Sequence, residues 1–410
     1  MRVFISTGEV SGDIVGALLT ERIRALEPSA EIVGVGGSRM SEAGVALDAR
    51  TSHLGTVGVT EAVRAIPAFA RVLAAIRRQV RAGKPDVAVL IGNDVFNVIL
   101  ARWLRRRGVV TVSYFPPQVW IWRAIAPFIA RSYDAILTSF PLEHEVYGRA
   151  GERSGTEVSF VGHYLCDTLH PRSDAEIVSS RGRLGLGGTS RVLALLPGSR
   201  AHEIRRLAGP LLAAARELCR WDPGLRVVVP VSEGAYRRMI ETEVDANGLA
   251  ERVLVTGDSH EAMRSADAVV LASGTASLEA ALLGVPMAIV YRVSAATRCV
   301  VGAVVRLGLI ESETLGLPNL VLGRTVVPEL RQSRATVGAV VREARSLLEN
   351  ALKRQTLRRE LLKVAEELAV PGTVERVAEA VVGYARSGRG AASGGPSARA
   401  ARSSAAAERS

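Results

Sequence analysis

Arg200 closes the run Leu193-Ala194-Leu195-Leu196-Pro197-Gly198-Ser199-Arg200, which reads as a buried apolar strand ending in a small-residue turn. A helical stretch over residues 202–220 follows at once. A strand that breaks at Pro-Gly-Ser before a helix leaves backbone N–H groups without intrahelical partners, at the positive end of the helix dipole. Such a turn suits a phosphate or pyrophosphate, and the Arg200 guanidinium adds a planar fork of charged donors. An ordinary strand-turn-helix with a surface arginine has the same residues, so this segment alone decides nothing.

A second segment of the same kind does. Val269-Val270-Leu271-Ala272 is again apolar, and Ser273-Gly274-Thr275-Ala276-Ser277-Leu278-Glu279 again turns into a helix. Glu279 stands about one helical turn after Thr275 and should line the same mouth, where a carboxylate could accept both hydroxyls of a ribose. A solvated helix residue is the alternative for Glu279. Two phosphate-ready turns and one acid in a single half-chain point to a nucleoside diphosphate.

The first half carries its own candidates. Thr7-Gly8-Glu9-Val10-Ser11-Gly12-Asp13 joins an apolar run to a helix but lacks the GxGxxG spacing of a dinucleotide site, which argues against a nicotinamide or flavin enzyme. Gly36-Gly37-Ser38-Arg39-Met40 is a similar turn, structural or ligand-facing. Ile91-Gly92-Asn93-Asp94 puts a carboxylate at a strand end. Asp94 there is either a general base for a substrate hydroxyl or the N-cap of the helix over 95–107, and spacing alone favours the cap. Pro116-Pro117-Gln118-Val119-Trp120-Ile121-Trp122-Arg123 forms either an apolar pocket wall or a rigid core loop. The stretch from Ile66 to Arg81 mixes apolar and basic residues at helical spacing, as an interfacial or an ordinary surface helix would.

These turns need strands to hold them. Apolar runs at 3–6, 32–35, 87–91, 109–113, 135–138 and 158–161 alternate with helical stretches such as 13–26 and 95–107. The second half repeats the theme at 192–196, 226–229, 253–255, 268–271 and 287–290. The pattern predicts an α/β chain of two Rossmann-like, doubly wound parallel-sheet domains facing across a cleft, with ligands beyond the carboxyl ends of the strands. The expected bounds are 1–168 for the first domain and 186–328 for the second. A linker falls between Asp167 and Gly188, where Pro171, Ser173 and a glycine-rich run break the pattern. Beyond Pro328 only helices are expected: 329–385 crosses between the domains, and a disordered tail rich in Ser, Gly, Ala and Arg fills 386–410.

Composition narrows the classes. The 410 residues are 48% hydrophobic, ample for two or three domains, and only 4% aromatic, which disfavours binding single-stranded nucleic acid by ring stacking. Cys166, Cys219 and Cys299 are scattered and the six histidines form no ligand-spaced cluster, so neither disulfides nor a metal site is expected. The chain opens on a strand rather than a secretory signal, and the apolar run 290–310 is broken by Arg292, Arg298 and Arg306, a poor membrane span. Net charge is +11, with arginine clusters at 102–107 and 71–81. A basic surface suits nucleic acid, an anionic leaflet or a phosphorylated lipid alike.

Taken together the segments resemble one family, the bacterial lipid-A-disaccharide synthases. The likeness rests on Gly8-Glu9-Val10-Ser11-Gly12-Asp13, Gly36-Gly37-Ser38-Arg39-Met40, Val119-Trp120-Ile121-Trp122-Arg123 and Phe160-Val161-Gly162-His163. It continues through Leu196-Pro197-Gly198-Ser199-Arg200, Ala272 to Glu279, Tyr291-Arg292-Val293-Ser294 and Leu317-Pro318-Asn319-Leu320, in order from about Val3 to Tyr384. The resemblance implies a GT-B type glycosyltransferase whose last helix returns to the first domain. It implies a metal-independent, cofactor-free transfer from UDP-diacylglucosamine to a monosaccharide lipid phosphate, at the cytoplasmic face of the inner membrane as a peripheral protein, with no nucleic-acid partner. In that reading Ser199 and Arg200 hold the diphosphate, Ser273, Gly274 and Thr275 support it, Glu279 holds the ribose, and Asn319 and Arg324 complete the donor site. Gly8, Glu9, Ser11, Trp120, Trp122 and Arg123 belong to the acceptor half, and the resemblance turns Asp94 from cap to catalytic base.

The chain departs from the family in that half. The usual Gly-x-Asp-x-Pro-Asp-Phe-Asn is shortened to Gly92-Asn93-Asp94-Val95-Phe96-Asn97, and the usual Ser-Pro-Ser is Pro116-Pro117-Gln118. A UDP-sugar enzyme with another acceptor, a UDP-sugar 2-epimerase and a non-catalytic UDP-sugar-binding paralogue are the alternatives; the epimerase needs more acid and base residues than these motifs supply.

Overall fold

The computed structural model describes residues 1–51, 59–92, 94–119, 123–187, 191–231, 234–292 and 314–388. Two compact units are present. The first is built from residues 1–167 and the helix Thr373–Ser387, the second from 168–292 and 314–369.

The first unit holds seven strands: β1 Arg2–Thr7, β2 Glu31–Gly36, β3 Ala46–Arg50, β4 Val87–Ile91, β5 Val110–Tyr114, β6 Ala135–Thr138 and β7 Glu157–Phe160. Every pairing is parallel, in the order β3-β2-β1-β4-β5-β6-β7. The central strand β4, Val-Ala-Val-Leu-Ile, is buried along its whole length, as a strand covered on both faces must be. The chain winds outward from β1 through β2 to β3, then returns to β4 beside β1 and winds the other way. The switch point therefore lies between β1 and β4; Gly8 and Glu9 follow the first of those strands, and Gly92 follows the second.

The second unit repeats the plan with β8 Val192–Leu196, β9 Arg226–Pro230, β10 Val253–Thr256, β11 Ala268–Ala272, β12 Met287–Tyr291 and β13 Glu329–Arg331. Its order is β10-β9-β8-β11-β12-β13, again all parallel. Here the switch point lies between β8 and β11, which end in Pro197 to Arg200 and Ser273 to Thr275. In open parallel sheets that crevice is where ligands bind.

Three expectations need correcting. The first sheet gains β3, an edge strand whose side chains alternate between half-buried and exposed and so carry little apolar signal. The region after Pro328 is not wholly helical, because Glu329, Leu330 and Arg331 pair with Ile289, Val290 and Tyr291. The linker expected between Asp167 and Gly188 starts where the first unit ends, but its residues belong to the second unit and carry a helix. Ser173 and Glu176 form a capping box for the helix Asp174–Arg183, and buried Arg172 donates from its guanidinium to the carbonyls of Met263 (3.1 Å) and Arg264 (2.8 Å). Those carbonyls end the helix Ser259–Ser265, so the guanidinium caps it.

The three helices after β13 divide between the units. Val337–Glu349 packs on Ala201–Trp221, and Ala351–Leu368 on Thr275–Leu282, within the second unit. Thr373–Ser387 packs on Val10–Leu26 in the first, burying Val377 and Val381. Its start is tied down by Asp167, whose carboxylate accepts from the N–H groups of Gly372 (3.0 Å) and Val374 (3.3 Å).

Candidate donor and acceptor sites

The turn after β8 departs from expectation in one respect: two of its backbone N–H groups, those of Ser199 and Arg200, are taken. The Glu203 carboxylate, in the first turn of the helix Ala201–Trp221, accepts from the N–H of Ser199 (3.1 Å) and of Arg200 (3.2 Å). An acid three positions into a helix reaches back in this way. Gly198 makes room for it, since φ is +114° and a Cβ there would lie 2.4 Å from the Glu203 Oε2. Ser199 is exposed, and the Arg200 guanidinium is partly exposed, 3.7 Å from Glu203 Oε1. Tyr291 ends β12 close by; burial raises its phenol, the Glu203 carboxylate raises it further, and Arg200 opposes both.

The turn after β11 is more open. Gly274 is the exposed N-cap of the helix Thr275–Leu282, in extended backbone, with nothing near where a Cβ would stand. Ser273 is fixed from both ends: its N–H donates to Val290 (3.3 Å) and its hydroxyl to the carbonyl of Leu315 (3.1 Å). Thr275 and Glu279 are half-buried on the same helix. The Glu279 carboxylate meets His260 Nε2 at 3.1 Å, a partner that the local motifs do not reveal.

Asn319 and Arg324 are placed differently from the residues above. Asn319 is buried and fully engaged. Its Oδ1 accepts from the N–H groups of Val326 (2.6 Å) and Val327 (2.9 Å), while its Nδ2 donates to the Val327 carbonyl and to Glu329 Oε1, both at 2.9 Å. It clamps the approach to β13. Arg324 pairs with Glu360 on the helix Ala351–Leu368.

In the first unit Gly8 is buried at the end of β1, Glu9 is the N-cap of the helix Val10–Leu26, and Ser11 is half-buried in its first turn. Asp13 carries the order of this region. Its carboxylate accepts from Gly37 (2.7 Å), Arg39 (3.0 Å) and Met40 (3.2 Å), which makes the Gly36 to Met40 turn a structural one, fastened to the first helix. Asn97, also buried, does the same for the other turn: it donates to the Gly92 carbonyl (2.5 Å) and accepts from the Ser6 hydroxyl (2.9 Å), tying β1 to the loop that leads into Asp94. Asp94 is the first residue of the helix Asp94–Arg105; its side chain, Asn93, Trp120 and Trp122 lie outside the described residues. Arg123 opens a short 3-10 turn and is exposed.

After β7, His163 sits in an aromatic cage of Phe115 (5.1 Å between centroids), Phe140 (5.5 Å) and Tyr164 (5.1 Å). Burial lowers its pKa to about 3, so it is neutral, and Nδ1 accepts from the Leu165 N–H (3.3 Å). Among the described residues no three His, Cys, Asp or Glu side chains gather as metal ligands, and no helix is long and apolar enough to cross a membrane.

Comparison with known proteins agrees with this architecture. Solved structures of the same fold include a putative UDP-N-acetylglucosamine 2-epimerase from Listeria monocytogenes (TM-score 0.64, 14% identity, covering 94% of this chain and 96% of that one). CalG4, the calicheamicin glycosyltransferase, matches with TM-score 0.56 at 15% identity over 93% of this chain and 98% of its own. At such identities the likeness is one of fold, the GT-B arrangement of two parallel-sheet domains. Sequence relatives are nearer. The lipid-A-disaccharide synthase of Chromohalobacter salexigens is 38% identical over 383 residues, 93% of this chain and 96% of that protein. That of Alcanivorax borkumensis is 36% identical over 380 residues, 92% and 96% of the two chains. The sequence model described as lipid-A-disaccharide synthetase matches residues 3–380, a span that takes in both sheets, both switch points and the first half of the returning helix. The chain belongs to the lipid-A-disaccharide synthetase family of glycosyltransferases.

Proposed function

We propose that this enzyme transfers 2,3-diacylglucosamine from its UDP donor to the 6-hydroxyl of 2,3-diacylglucosamine 1-phosphate, inverting the anomeric centre and releasing UDP. The observation that carries this reading is the family match combined with topology: three of the motifs, Gly8 to Asp13, Leu196 to Arg200 and Ala272 to Glu279, leave strands that flank the two sheet switch points, where ligands bind in open parallel sheets. Arg200 and the start of the helix Thr275–Leu282 supply positive charge to the diphosphate, and Glu279 takes the ribose. As the glycosidic C–O bond to the β-phosphate breaks, its electron pair leaves with UDP, and a preorganised guanidinium and helix start can stabilise that charge without a divalent ion. Asp94 takes the proton of the acceptor hydroxyl as its oxygen bonds to the anomeric carbon.

The substrates are lipids, and we assign the enzyme to the cytoplasmic face of the inner membrane as a peripheral protein. Val95, Ile99 and Arg102 lie at helical spacing on one face of Asp94–Arg105, Val95 and Ile99 being exposed, and the Arg102 guanidinium lies 4.5 Å from the ring centroid of exposed Phe128. An apolar stripe edged with arginine fits an anionic bilayer surface.

The test is to incubate the protein with UDP-2,3-diacylglucosamine and 2,3-diacylglucosamine 1-phosphate in the presence of a chelator, following UDP and disaccharide together. Equal amounts of both are expected. Asp94→Asn should abolish turnover while leaving UDP affinity within about twofold, because a hydroxyl-directed base touches no part of UDP. UDP binding without disaccharide would shift the reading to a different acceptor, and full turnover by the variant would remove Asp94 as base.

A further inference from the structure

His260 has no part in the motifs that define the donor site, yet it touches the one acid in them. It is the second residue of the helix Ser259–Ser265, which follows β10. Its Nε2 lies 3.1 Å from Glu279 Oε2 on the helix that follows β11. Both groups are partly open to solvent, the imidazole 38% and the carboxylate 18% exposed, so the pair sits at a surface rather than in the core. The other charges around the imidazole are accounted for. Asp258 caps the same helix and Arg264 lies one turn on. Glu261 is turned away to Arg183 of the helix Asp174–Arg183, where Arg181 is held by Asp267.

We propose that His260 is a positioning residue of the donor site, which orients the Glu279 carboxylate for the ribose hydroxyls and, when protonated, cancels its charge beside the anionic diphosphate. The inference rests on the reading of Glu279 as the ribose acceptor. A carboxylate suits two hydroxyl donors well but is a poor neighbour for a diphosphate, since like charges at short range repel. An imidazole on Oε2 resolves the conflict: it fixes the carboxylate rotamer and leaves Oε1 to the ribose. The neutral ring keeps that orientation as an N–H donor, whereas the imidazolium also removes the charge. Hydrogen bonding to Glu279 and the charges of Glu279 and Asp258 favour the protonated ring against burial and Arg264. UDP should therefore bind more tightly below the pH at which His260 loses its proton than above it.

The experiment is UDP binding by calorimetry for the full-length wild type, His260→Ala and His260→Arg from pH ~5.5 to ~8.5, a range that brackets the ordinary imidazole value of ~6.5. UDP's own phosphate titration is common to all three and cancels in their ratios. Relative to His260→Arg, which stays tight throughout, the wild type should weaken as pH rises. His260→Ala should be ~10-fold weaker than wild type at the acid end, the change expected from losing one charge-assisted contact. In a Glu279→Gln background His260→Ala should have no further effect. Unfolding temperatures, with His260→Gln as a milder substitution, separate this from misfolding. A His260→Ala protein that binds as the wild type does at pH ~6, or a wild-type profile parallel to that of His260→Arg, overturns the proposal. If Glu279→Gln alone leaves UDP affinity intact, the ribose assignment itself fails and takes the His260 role with it.

Discussion

The Arg200 guanidinium stands 3.7 Å from the Glu203 carboxylate and is about one-third exposed. Its removal should weaken UDP by about 1.5–3 kcal/mol, the usual worth of a hydrogen bond to a charged group, with little change in stability. Arg200→Ala measured by calorimetry and by thermal unfolding checks both halves, and unaltered UDP affinity would exclude Arg200 from the site. His163 shows the opposite behaviour, a group whose importance lies in staying uncharged. Its native pKa of about 3 is well below the ordinary ~6.5, so the unfolded chain takes up a proton over that interval and the native state does not. Its contribution is therefore complete above pH ~6.5 and is progressively lost as pH falls below that value. Urea unfolding midpoints between pH ~7 and ~4 should fall less steeply in His163→Gln, which keeps an acceptor for the Leu165 N–H; parallel curves would contradict the buried neutral ring.

At the scale of elements, one carboxylate joins a helix to the turn after the neighbouring strand. Asp13 takes three backbone N–H groups from Gly37, Arg39 and Met40, and its own helix follows directly on Gly8 and Glu9. Asp13→Ala leaves those donors without their acceptor in a buried place and should cost at least ~2 kcal/mol, with UDP affinity unchanged because the donor residues lie in the other unit. Denaturant titration and UDP binding on the same protein decide it; a fall in UDP affinity would mean that the two units do not respond independently. The elements most legible from residue order were the central strands, where Val87 to Ile91, Val192 to Leu196 and Ala268 to Ala272 are unbroken apolar runs buried on both faces. The edge strands were not: β3 alternates and β13 is only Glu-Leu-Arg, so their pairing depends on neighbours rather than on composition. The strand-turn-helix form of the segments after β8 and β11 was equally readable, each lying within one stretch of sequence. The side-chain partners were hidden by sequence distance. Glu279 finds His260 nineteen positions away, and Asn97 finds Ser6 across ninety-one.

On the scale of the molecule, the arginine excess is distributed by task. Arg105 is paired with Asp134 (2.9 Å), Arg172 is buried on carbonyls, and Arg107 lies 3.7 Å from the ring centroid of Trp103. The arginines beside exposed Val95, Ile99 and Phe128 are the ones a charged surface would meet. Replacing Ile99 and Phe128 together by serine should lower partition to vesicles containing acidic phospholipid by roughly 100-fold or more, since each fully buried apolar side chain contributes about 1.5–3 kcal/mol and about 1.4 kcal/mol is tenfold. Turnover on detergent-dispersed substrate should be unchanged, and undiminished vesicle binding would move the contact elsewhere. The connection made by Asp167 to Gly372 spans 205 positions of chain. On a ribosome adding roughly 5–20 residues per second, the face of Val10–Leu26 that receives the final helix stays uncovered for about 10–40 s after Asp167 has emerged. The whole second unit is made in that interval and can fold first. The unit that begins the chain is thus the last to be finished, and a stop codon anywhere before the final helix would leave its apolar face open to chaperones and proteases.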